Sequence, residues 1–537
     1  MAIDKSHSKQ KSYCINHRLT LTIVLIVGLA GAVIVYYATV WGPTVYSDSV
    51  YYLGSADNLV HGRGFGLYWG DNNFRPFAGD PPFYPYMVAL LQLTGLSVVS
   101  AARWIGILSF FVLVAGSGWL AFDLTRSPGL AVGTSLFLFF PALRASLDAS
   151  SEVVFYPAAL LSCLLLLRYL KTVHLFNLIL AALLAAAAFL TRYVGVALLF
   201  VSVMALIFLS NASWRKRILD GFVYSLVVCI PMLIWLGWGY LHTQTLGERT
   251  MHLPDIVSFT INFRLALAEI IWSWTTLLPD SASYEMQKWW MLALLLILAV
   301  AAAWVLWRSL NKSAIGIIWL WSGFFALYAL VYLLVYFGAY ITTLPTPDLI
   351  FRVFEPFLLA SGLSLLGLAA LAFQGRHPSW ISLVTVTGLA LLFVVPIIPG
   401  NYNNLVSMHR DGNGYTGRVW RQSPVIELLK ELPADTQIIT NQPDAVLFLT
   451  GRPAHWIPEI VSQKPVSQFI RFGDGNTYQE NIFRDRGGAL VLFPDVYWQM
   501  QSIYYEKTEE RIASMLNGLT IYRQFDDFAG TYFYPTK

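Results

Sequence analysis

The feature that most constrains this chain is a series of long apolar runs separated by short polar segments. A run of about 20 apolar residues is long enough to cross the hydrocarbon core of a bilayer as a helix. Only 12% of the 537 residues are charged, about half the fraction of a typical soluble protein. The sequence therefore predicts a mainly α-helical, polytopic membrane protein. The expected spans, about eleven in all, are 19–39, 101–122, 128–143, 151–170, 174–191, 194–210, 218–240, 288–307, 315–339, 350–373 and 379–398.

The positions of the basic residues predict the orientation of these spans, because short cytoplasmic loops keep an excess of Lys and Arg. The basic residues of one face are Lys5, Lys9, Lys11, Arg18, Arg126, Arg168, Lys171, Arg215, Lys216, Arg217, Arg308, Lys312 and Arg376, with the acids Asp4 and Asp123. We assign this face, including the tail 1–18, to the cytoplasm. An odd number of spans then places the C-terminus outside an inner (plasma) membrane. The loops 41–100 and 241–287 lie outside as well.

The composition changes after residue 400 to that of a soluble domain. Ser423 followed by Pro424 is typical of a helix start. Short β-rich runs follow at 436–440 and 489–493, so 401–537 is expected to be an extracytoplasmic α/β domain, without catalytic residues of its own. Within the external loop 241–287, the apolar stripe of 255–278 favours an amphipathic helix lying in the outer interface.

Several function classes are excluded by simple counts. The net charge is only +4, so there is no basic footprint of the kind that nucleic-acid partners require. The three cysteines are Cys14, Cys163 and Cys229. They lie in the N-terminal tail or in apolar runs, which leaves no disulfide framework and no cysteine-based metal site.

Ionisable residues of both signs gather at the predicted outer face. Charged groups at membrane depth are costly and tend to mark function. Each one alone is also explained as an ordinary interface residue, but the set favours a site. The first external loop opens with Asp48 just beyond the first span, and we predict that Asp48 is the reactive centre. The full set is Asp48, Arg75, Asp80, Arg144, Asp148, Glu152, Arg192, Arg249, His252, Asp348, Arg352 and Glu355.

Two elements of the first external loop resemble motifs of a known family, the integral-membrane glycosyltransferases of the C superfamily. Asp48 with Tyr51 and Tyr52 is similar to the family's acidic residue followed by aromatic residues. The segment Asp80-Pro81-Pro82-Phe83-Tyr84-Pro85 looks like its His-Pro-Pro-Leu-Tyr element, with Asp80 where a His is usual. The bacterial branch related to protein O-mannosyltransferases and to the lipid A aminoarabinose transferase is the most similar.

Two further places carry the resemblance, which covers about residues 19–400. Ser151-Glu152-Val153-Val154-Phe155 is similar to the acidic residue at the start of the fourth span, with Arg192 after the fifth. The segment from Asp348 through Arg352 to Glu355-Pro356-Phe357 is like the family's Arg and Pro at the start of a late span.

The resemblance implies an inverting transfer of a sugar from a polyprenyl-phosphate donor to a hydroxyl acceptor, which is a lipid, a glycan or a protein. Asp48 would act as general base, and Glu152 would orient the acceptor or an arginine. Arg192 and Arg352, with Arg249 or Arg75, would hold the donor phosphate, since a guanidinium binds phosphate bidentately.

Contacts to the acceptor or sugar are expected from Tyr51, Tyr52, Asp80, Asp148 and Glu355. Asp148 competes with Glu152 for the role of second acid, because a helical turn would place both on one face. For Glu152 and Glu355, the alternative is a charge that only complements a helix N-terminus.

No cofactor is required by this chemistry, although Asp48 and Glu152 could offer oxygens to a divalent metal. Single histidines such as His61 and His252 have no partner at ligand spacing. A lipid-linked oligosaccharide ligase or polymerase is the enzymatic alternative. A secondary transporter is the other, but the two related halves typical of transporters are not evident in the sequence.

Overall fold

The computed structural model describes residues 3–68, 70, 72–244, 250–251, 257, 259–261, 284–311, 315–344, 351–372, 379–394, 398–457, 488–516, 523–525 and 531–536. Arg249, His252, Asp348 and most of the stripe 255–278 lie outside the described residues.

Long helices make up the part of the chain before residue 400. They are α1 (Ile3–Ala38), α2 (Ser47–Val60), α3 (Phe83–Gln92), α4 (Val98–Phe111), α5 (Ser117–Thr125), α6 (Pro128–Leu147), α7 (Glu152–Thr172), α8 (Leu175–Phe189), α9 (Val196–Phe208), α10 (Trp214–Thr243), α11 (Tyr284–Leu310), α12 (Ile317–Thr342), α13 (Phe351–Ala372) and α14 (Ser379–Val394). A π-helical segment, Val112–Gly116, joins α4 to α5, so that the two form one continuous span.

Each of the eleven predicted spans coincides with one of these helices or with the joined pair α4–α5. Among the described residues, eight helical stretches are long and apolar enough to cross a membrane, and α8 and α9 are shorter apolar helices. The prediction of a polytopic helical membrane protein is therefore confirmed. The number of eleven crossings stays a prediction.

Small residues let the membrane helices approach closely. A Cβ atom added at Gly31 of α1 would lie 2.0 Å from the ring of Phe110 in α4, and one added at Gly362 of α13 would lie 2.0 Å from Phe137 in α6. Both rings therefore fill the space that the glycines leave open. Such contacts replace the hydrophobic driving force that is missing between helices in lipid.

The segment 41–100 is folded, whereas the sequence suggested only a polar loop. It holds α2, α3 and a hairpin of β1 (Gly66–Tyr68) and β2 (Phe74–Pro76). Val50, Leu53 and Ala56 of α2 are buried at helical spacing against Tyr84 and Val88 of α3. This apolar stripe was too short and too interrupted by polar residues to stand out in the sequence.

A five-stranded sheet follows the membrane helices, in the order β6-β5-β7-β9-β8. Its strands are β5 (Gln437–Thr440), β6 (His455–Trp456), β7 (Gly488–Leu492), β8 (Arg523–Phe525) and β9 (Thr531–Thr536). The strands β6, β5 and β7 are parallel, and β9 is antiparallel to both β7 and β8. The remaining pair, β3 (Thr250–Met251) and β4 (Thr343–Leu344), is antiparallel and lies apart from this sheet.

The helices of this part of the chain are α15 (Ile398–Asp411), α16 (Arg418–Arg421), α17 (Pro424–Glu431), α18 (Pro443–Thr450), α19 (Val496–Tyr504) and α20 (Thr508–Leu516). The predicted cap is present, because the Ser423 hydroxyl accepts a hydrogen bond from the Ile426 N–H at 3.4 Å. Strands β5 and β7 lie where the β-rich runs predicted them. The definition of 401–537 as a separate outer domain stays a prediction.

Candidate active site

The segment before α2 is held on two sides, and this determines where Asp48 lies. On one side, the Thr44 N–H donates to the Leu147 carbonyl and the Ala149 N–H donates to the Thr44 carbonyl, both at 2.8 Å. On the other, the Tyr415 N–H donates to the Val45 carbonyl at 2.9 Å. Asp48 then falls in the first turn of α2, where a carboxylate is favoured by the helix dipole.

Three helices that are distant in sequence bring their ends to Asp48. Glu152 is the first residue of α7, and Arg352 is the second residue of α13. Arg192 follows α8 in extended backbone. Helices α7 and α8 pack against each other, and α13 packs against α6, which directly precedes α7 in the chain.

Arg352 contacts both carboxylates. Its Nη2 lies 2.8 Å from Asp48 Oδ2, and its Nε lies 3.8 Å from Glu152 Oε1. Arg192 forms an ion pair with the same oxygen of Glu152. Four residues selected from the sequence therefore form one ion-pair cluster, Asp48–Arg352–Glu152–Arg192.

The side chains of this cluster differ in their exposure to solvent. The side chains of Arg352 and Asp48 are 46% and 31% exposed, whereas that of Glu152 is 6% exposed. A buried carboxylate must be paired to offset its desolvation, and Glu152 has two guanidinium partners. Asp48 and Arg352 are therefore the members that a substrate can reach, and Glu152 holds the two arginines together.

Comparison with known proteins identifies solved structures with a similar fold. No family profile matches the sequence, and no curated protein matches it. Among solved structures, the chain is similar to ArnT from Cupriavidus metallidurans bound to undecaprenyl phosphate, with a TM-score of 0.50 and 14% identity over 96% of this chain and 97% of that chain. The chain therefore has the fold of this structure. At this identity the similarity concerns the fold alone.

A second similar structure is the archaeal oligosaccharyltransferase AglB from Archaeoglobus fulgidus in complex with an inhibitory peptide and a dolichol-phosphate. It is 12% identical over 96% of this chain and 74% of that chain, with a TM-score of 0.46.

Two of the predicted acceptor contacts lie beside the ion-pair cluster. The Tyr52 hydroxyl donates to Ser151 Oγ at 3.4 Å. Burial raises the pKa of Tyr52 well above its usual value, and the carboxylates of Asp80, Asp48 and Glu152 raise it further. Tyr52 is therefore a neutral hydroxyl among three carboxylates, and Asp80 belongs to the same neighbourhood.

Tyr51, the neighbour of Tyr52, points elsewhere. It is buried, stacks on Phe77 with ring centroids 5.4 Å apart, and donates to Asp444 Oδ1 of α18 at 3.3 Å. In this structure Tyr51 links α2 to the C-terminal part of the chain. Its predicted contact with acceptor or sugar stays a prediction.

Glu355 lies behind the cluster. It is buried, forms an ion pair with Arg144, and accepts a hydrogen bond from the Tyr156 hydroxyl at 2.7 Å. Tyr156 also donates to the Arg352 carbonyl at 3.4 Å. Glu355 thus reaches Arg352 through Tyr156, and a direct contact with substrate stays a prediction.

Asp148 does not share a helical face with Glu152, because it ends α6 in extended backbone. Burial raises the pKa of the Asp148 carboxyl to about 6, and the Glu152 carboxylate contributes in the same direction. Arg75 lies in β2, and its proposed contact with phosphate stays a prediction, as does that of Arg249.

Sequence reasoning missed two members of this region and assigned no role to a third. Ser151 contacts Tyr52, Glu152 and Arg192, and its place directly before Glu152 was the available signal. Tyr156 follows Glu152 by four residues, the spacing of one helical face. Arg144 was noted only as one charge of the outer face.

The ion-pair cluster also affects whether its carboxylates could bind a metal ion. Within the described part of the chain, no three or more His, Cys, Asp or Glu residues are grouped so that they could hold an ion. Because Arg352 contacts both Asp48 and Glu152, an ion bound by these two carboxylates would compete with the guanidinium for their oxygens.

Proposed function

We propose that this protein is an inverting glycosyltransferase that moves a sugar from a polyprenyl-phosphate donor to a hydroxyl acceptor at the outer face of the inner membrane. The observation that carries the proposal is the contact of Arg352 with both Asp48 and Glu152. It joins an accessible carboxylate to an accessible guanidinium at the boundary of the membrane helices. The shared fold with ArnT supports the same reaction class.

Asp48 acts as the general base in this proposal. A carboxylate oxygen of Asp48 takes the proton of the acceptor hydroxyl while the hydroxyl oxygen attacks the anomeric carbon from the side opposite the phosphate. The bond between the anomeric carbon and the phosphate oxygen breaks, and polyprenyl phosphate leaves with that electron pair. Because a phosphate is a weak base, it needs no proton from the protein.

The two arginines stabilise the charge that develops on the leaving phosphate. The contact with Asp48 uses one N–H group of Arg352. The other N–H groups can donate hydrogen bonds to phosphate oxygens. Arg192 is oriented by Glu152. Guanidinium groups fixed in advance and aimed at developing charge lower the barrier without reorganisation.

The acceptor binds on the Asp48 side of the cluster. Tyr52, Asp80 and Asp148 are the polar groups proposed to contact the acceptor or sugar, together with Tyr51 and Glu355 if the cluster rearranges. A lipid, a glycan or a protein hydroxyl fits this chemistry equally. The reaction requires no cofactor.

The experiment measures binding and turnover with the purified chain. Undecaprenyl phosphate is titrated to measure affinity, and undecaprenyl-phosphate-linked aminoarabinose and mannose are supplied as donors while their consumption and the release of undecaprenyl phosphate are followed. We expect binding of the lipid and consumption of a donor, with consumption lost in Asp48→Asn. A chain that binds none of these lipids, or that moves donor across a vesicle membrane without cleaving it, would contradict the proposal.

A further inference from the structure

A pocket of about 610 Å³ lies at the opposite ends of the membrane helices from Asp48. It is formed where α5 and α7 end and where α8 begins. The residues that line it are Asp123, Leu124, Arg126, Arg168, Lys171, Thr172, His174, Leu175, Phe176 and Asn177.

Positive charge dominates the lining. Arg126, Arg168 and Lys171 are cations, and Asp123 is the one acid among the lining residues, all of which are described. Asp123 contacts both arginines, with Oδ1 3.2 Å from Arg126 Nη2 and Oδ2 3.1 Å from Arg168 Nε. One carboxylate therefore positions two guanidinium groups and neutralises one of three positive charges.

Most N–H groups of these cations remain available. The contacts described use one nitrogen of each arginine, and Lys171 Nζ donates to the Leu124 carbonyl at 2.8 Å. A guanidinium has five N–H donors and an ammonium has three. The first turn of α8, which starts after His174, adds the positive end of a helix dipole.

Apolar side chains form the rim of this basic pocket. Of the lining residues, Leu175 is 59% exposed and Phe176 is 73% exposed, and Val173, which lies between the lining residues Thr172 and His174 in the chain, is 50% exposed. A site for a soluble anion has no need of such a rim, whereas the acyl chains of a lipid would cover it. The combination of cations below and apolar groups around them matches a phospholipid.

The position of the pocket along the membrane helices agrees with the position of a lipid headgroup. Helix α7 has Glu152 at its first residue and Thr172 at its last, a length of about 30 Å at 1.5 Å per residue. This is the thickness of the hydrocarbon core of a bilayer. If the Asp48 cluster lies at one boundary of the membrane, the pocket lies at the other.

We propose that this pocket binds the phosphate of an anionic phospholipid headgroup. Arg126, Arg168 and Lys171 contact the phosphate oxygens, and the acyl chains lie on Val173, Leu175 and Phe176. Basic pockets between membrane helices are a recognised form of lipid site. The site is separate from the proposed donor site, and it does not depend on the transferase reaction.

The test uses the full-length purified chain in a neutral detergent. Dioctanoyl phosphatidylglycerol is titrated while the melting temperature is followed by tryptophan fluorescence, with dioctanoyl phosphatidylcholine and inorganic phosphate in parallel. We expect a saturable rise in melting temperature with phosphatidylglycerol only. An equal rise with phosphatidylcholine would show binding of the acyl chains alone, and an equal rise with inorganic phosphate would show a soluble-anion site. Either result would overturn the proposal, as would no rise at all.

Variants locate the binding. The double variant Arg168→Gln/Lys171→Gln should lose the rise, whereas Arg215→Gln, an exposed basic residue at the start of α10, should keep it. Arg126→Asn is a milder second variant, because Arg126 has φ of 56° and Asn tolerates this left-handed conformation. It should weaken the apparent affinity several-fold even if the double variant does not fold. If Arg126→Asn and the double variant both keep the full rise in melting temperature with phosphatidylglycerol, the assignment is refuted.

Discussion

At the scale of single residues, the two carboxylates that contact Arg352 differ in what surrounds them. Asp48 is partly exposed and contacts the Arg352 guanidinium, whereas Glu152 is buried and forms ion pairs with both Arg192 and Arg352. The exposed carboxylate is the one that we propose to exchange a proton with the acceptor. This difference supports the roles proposed from the sequence, with Asp48 as the general base and Glu152 as a residue that orients an arginine.

The first prediction separates chemistry from binding. Asp48→Asn keeps the size of the side chain but not its basicity, so turnover should fall by about 10²–10⁴ while affinity for undecaprenyl phosphate stays near that of the wild type. Arg352→Ala should weaken both, because its contact with phosphate exists before and during the reaction. Both quantities are measured on the same purified variants. Near-normal turnover in Asp48→Asn would remove Asp48 as the base.

The second prediction concerns pH and Asp148. Its pKa is raised to about 6 in the folded protein from its usual 3.8, so the ionised form is disfavoured by folding. The stability associated with the neutral carboxyl is present below about pH 4 and is lost as the pH rises through about 6. Asp148→Asn should therefore raise the melting temperature at pH 8 and by about half as much at pH 5.

The matched control for this experiment is Asp435→Asn, since Asp435 is exposed. Its effect on the melting temperature should be similar at both pH values. A stabilisation by Asp148→Asn that does not grow between pH 5 and pH 8 would contradict the assignment.

At the scale of elements, α2 is held by a segment that lies far away in the chain. Gly414 is paired with Val45, and the buried Thr416 hydroxyl donates to the Pro43 carbonyl at 2.7 Å. Tyr51 and Asp444 add a contact between α2 and α18. The C-terminal part therefore helps to set the position of Asp48, and none of its described residues forms an ion pair within the cluster itself.

The third prediction tests this support with two glycines. Gly414 and Gly451 both have positive φ, 57° and 71°, so an alanine at either costs about 1–2 kcal/mol. A Cβ at Gly414 would also lie 2.4 Å from the Val45 carbonyl oxygen, whereas a Cβ at Gly451 meets nothing within 4 Å. Gly414→Ala should therefore lower turnover severalfold more than Gly451→Ala at similar protein yield. Equal turnover in the two variants would show that the contact does not position Asp48.

At the scale of the whole molecule, the charges of the two membrane boundaries differ. The ion-pair cluster with both signs lies at the N-terminal end of α7, and the basic pocket lies at its C-terminal end. Since cytoplasmic boundaries are rich in Lys and Arg, the second boundary is the one expected to face the cytoplasm.

The fourth prediction is the topology that follows. With eleven crossings, Met1 lies inside and Lys537 lies outside. A reporter that is active only in the cytoplasm should be silent when fused after Lys537 and active when inserted at Asn211, between α9 and α10. A strong signal from the C-terminal fusion would reverse every assignment of side.

The sequence by itself determined the membrane helices and the residue types of the site. Long apolar runs allow little besides a spanning helix, because backbone groups in lipid must be satisfied within the segment. The same rule makes isolated charges at the ends of the runs conspicuous, and Asp48, Glu152, Arg192 and Arg352 were found in this way. The cap at Ser423 and the strands near 437 and 488 followed from equally local signals.

Tertiary structure alone decided which of these charges meet. The contact of Arg352 with Asp48 joins residues that are 304 positions apart, and no local pattern encodes a distance of that kind. Helices α2 and α3 are stabilised by burial against α4, α7 and the residues after 413. Their apolar faces are therefore buried only when those partners are in place. Tyr51 and Tyr52 are neighbours in sequence, yet a turn of 100° per residue along α2 sends one to Asp444 and the other to the ion-pair cluster.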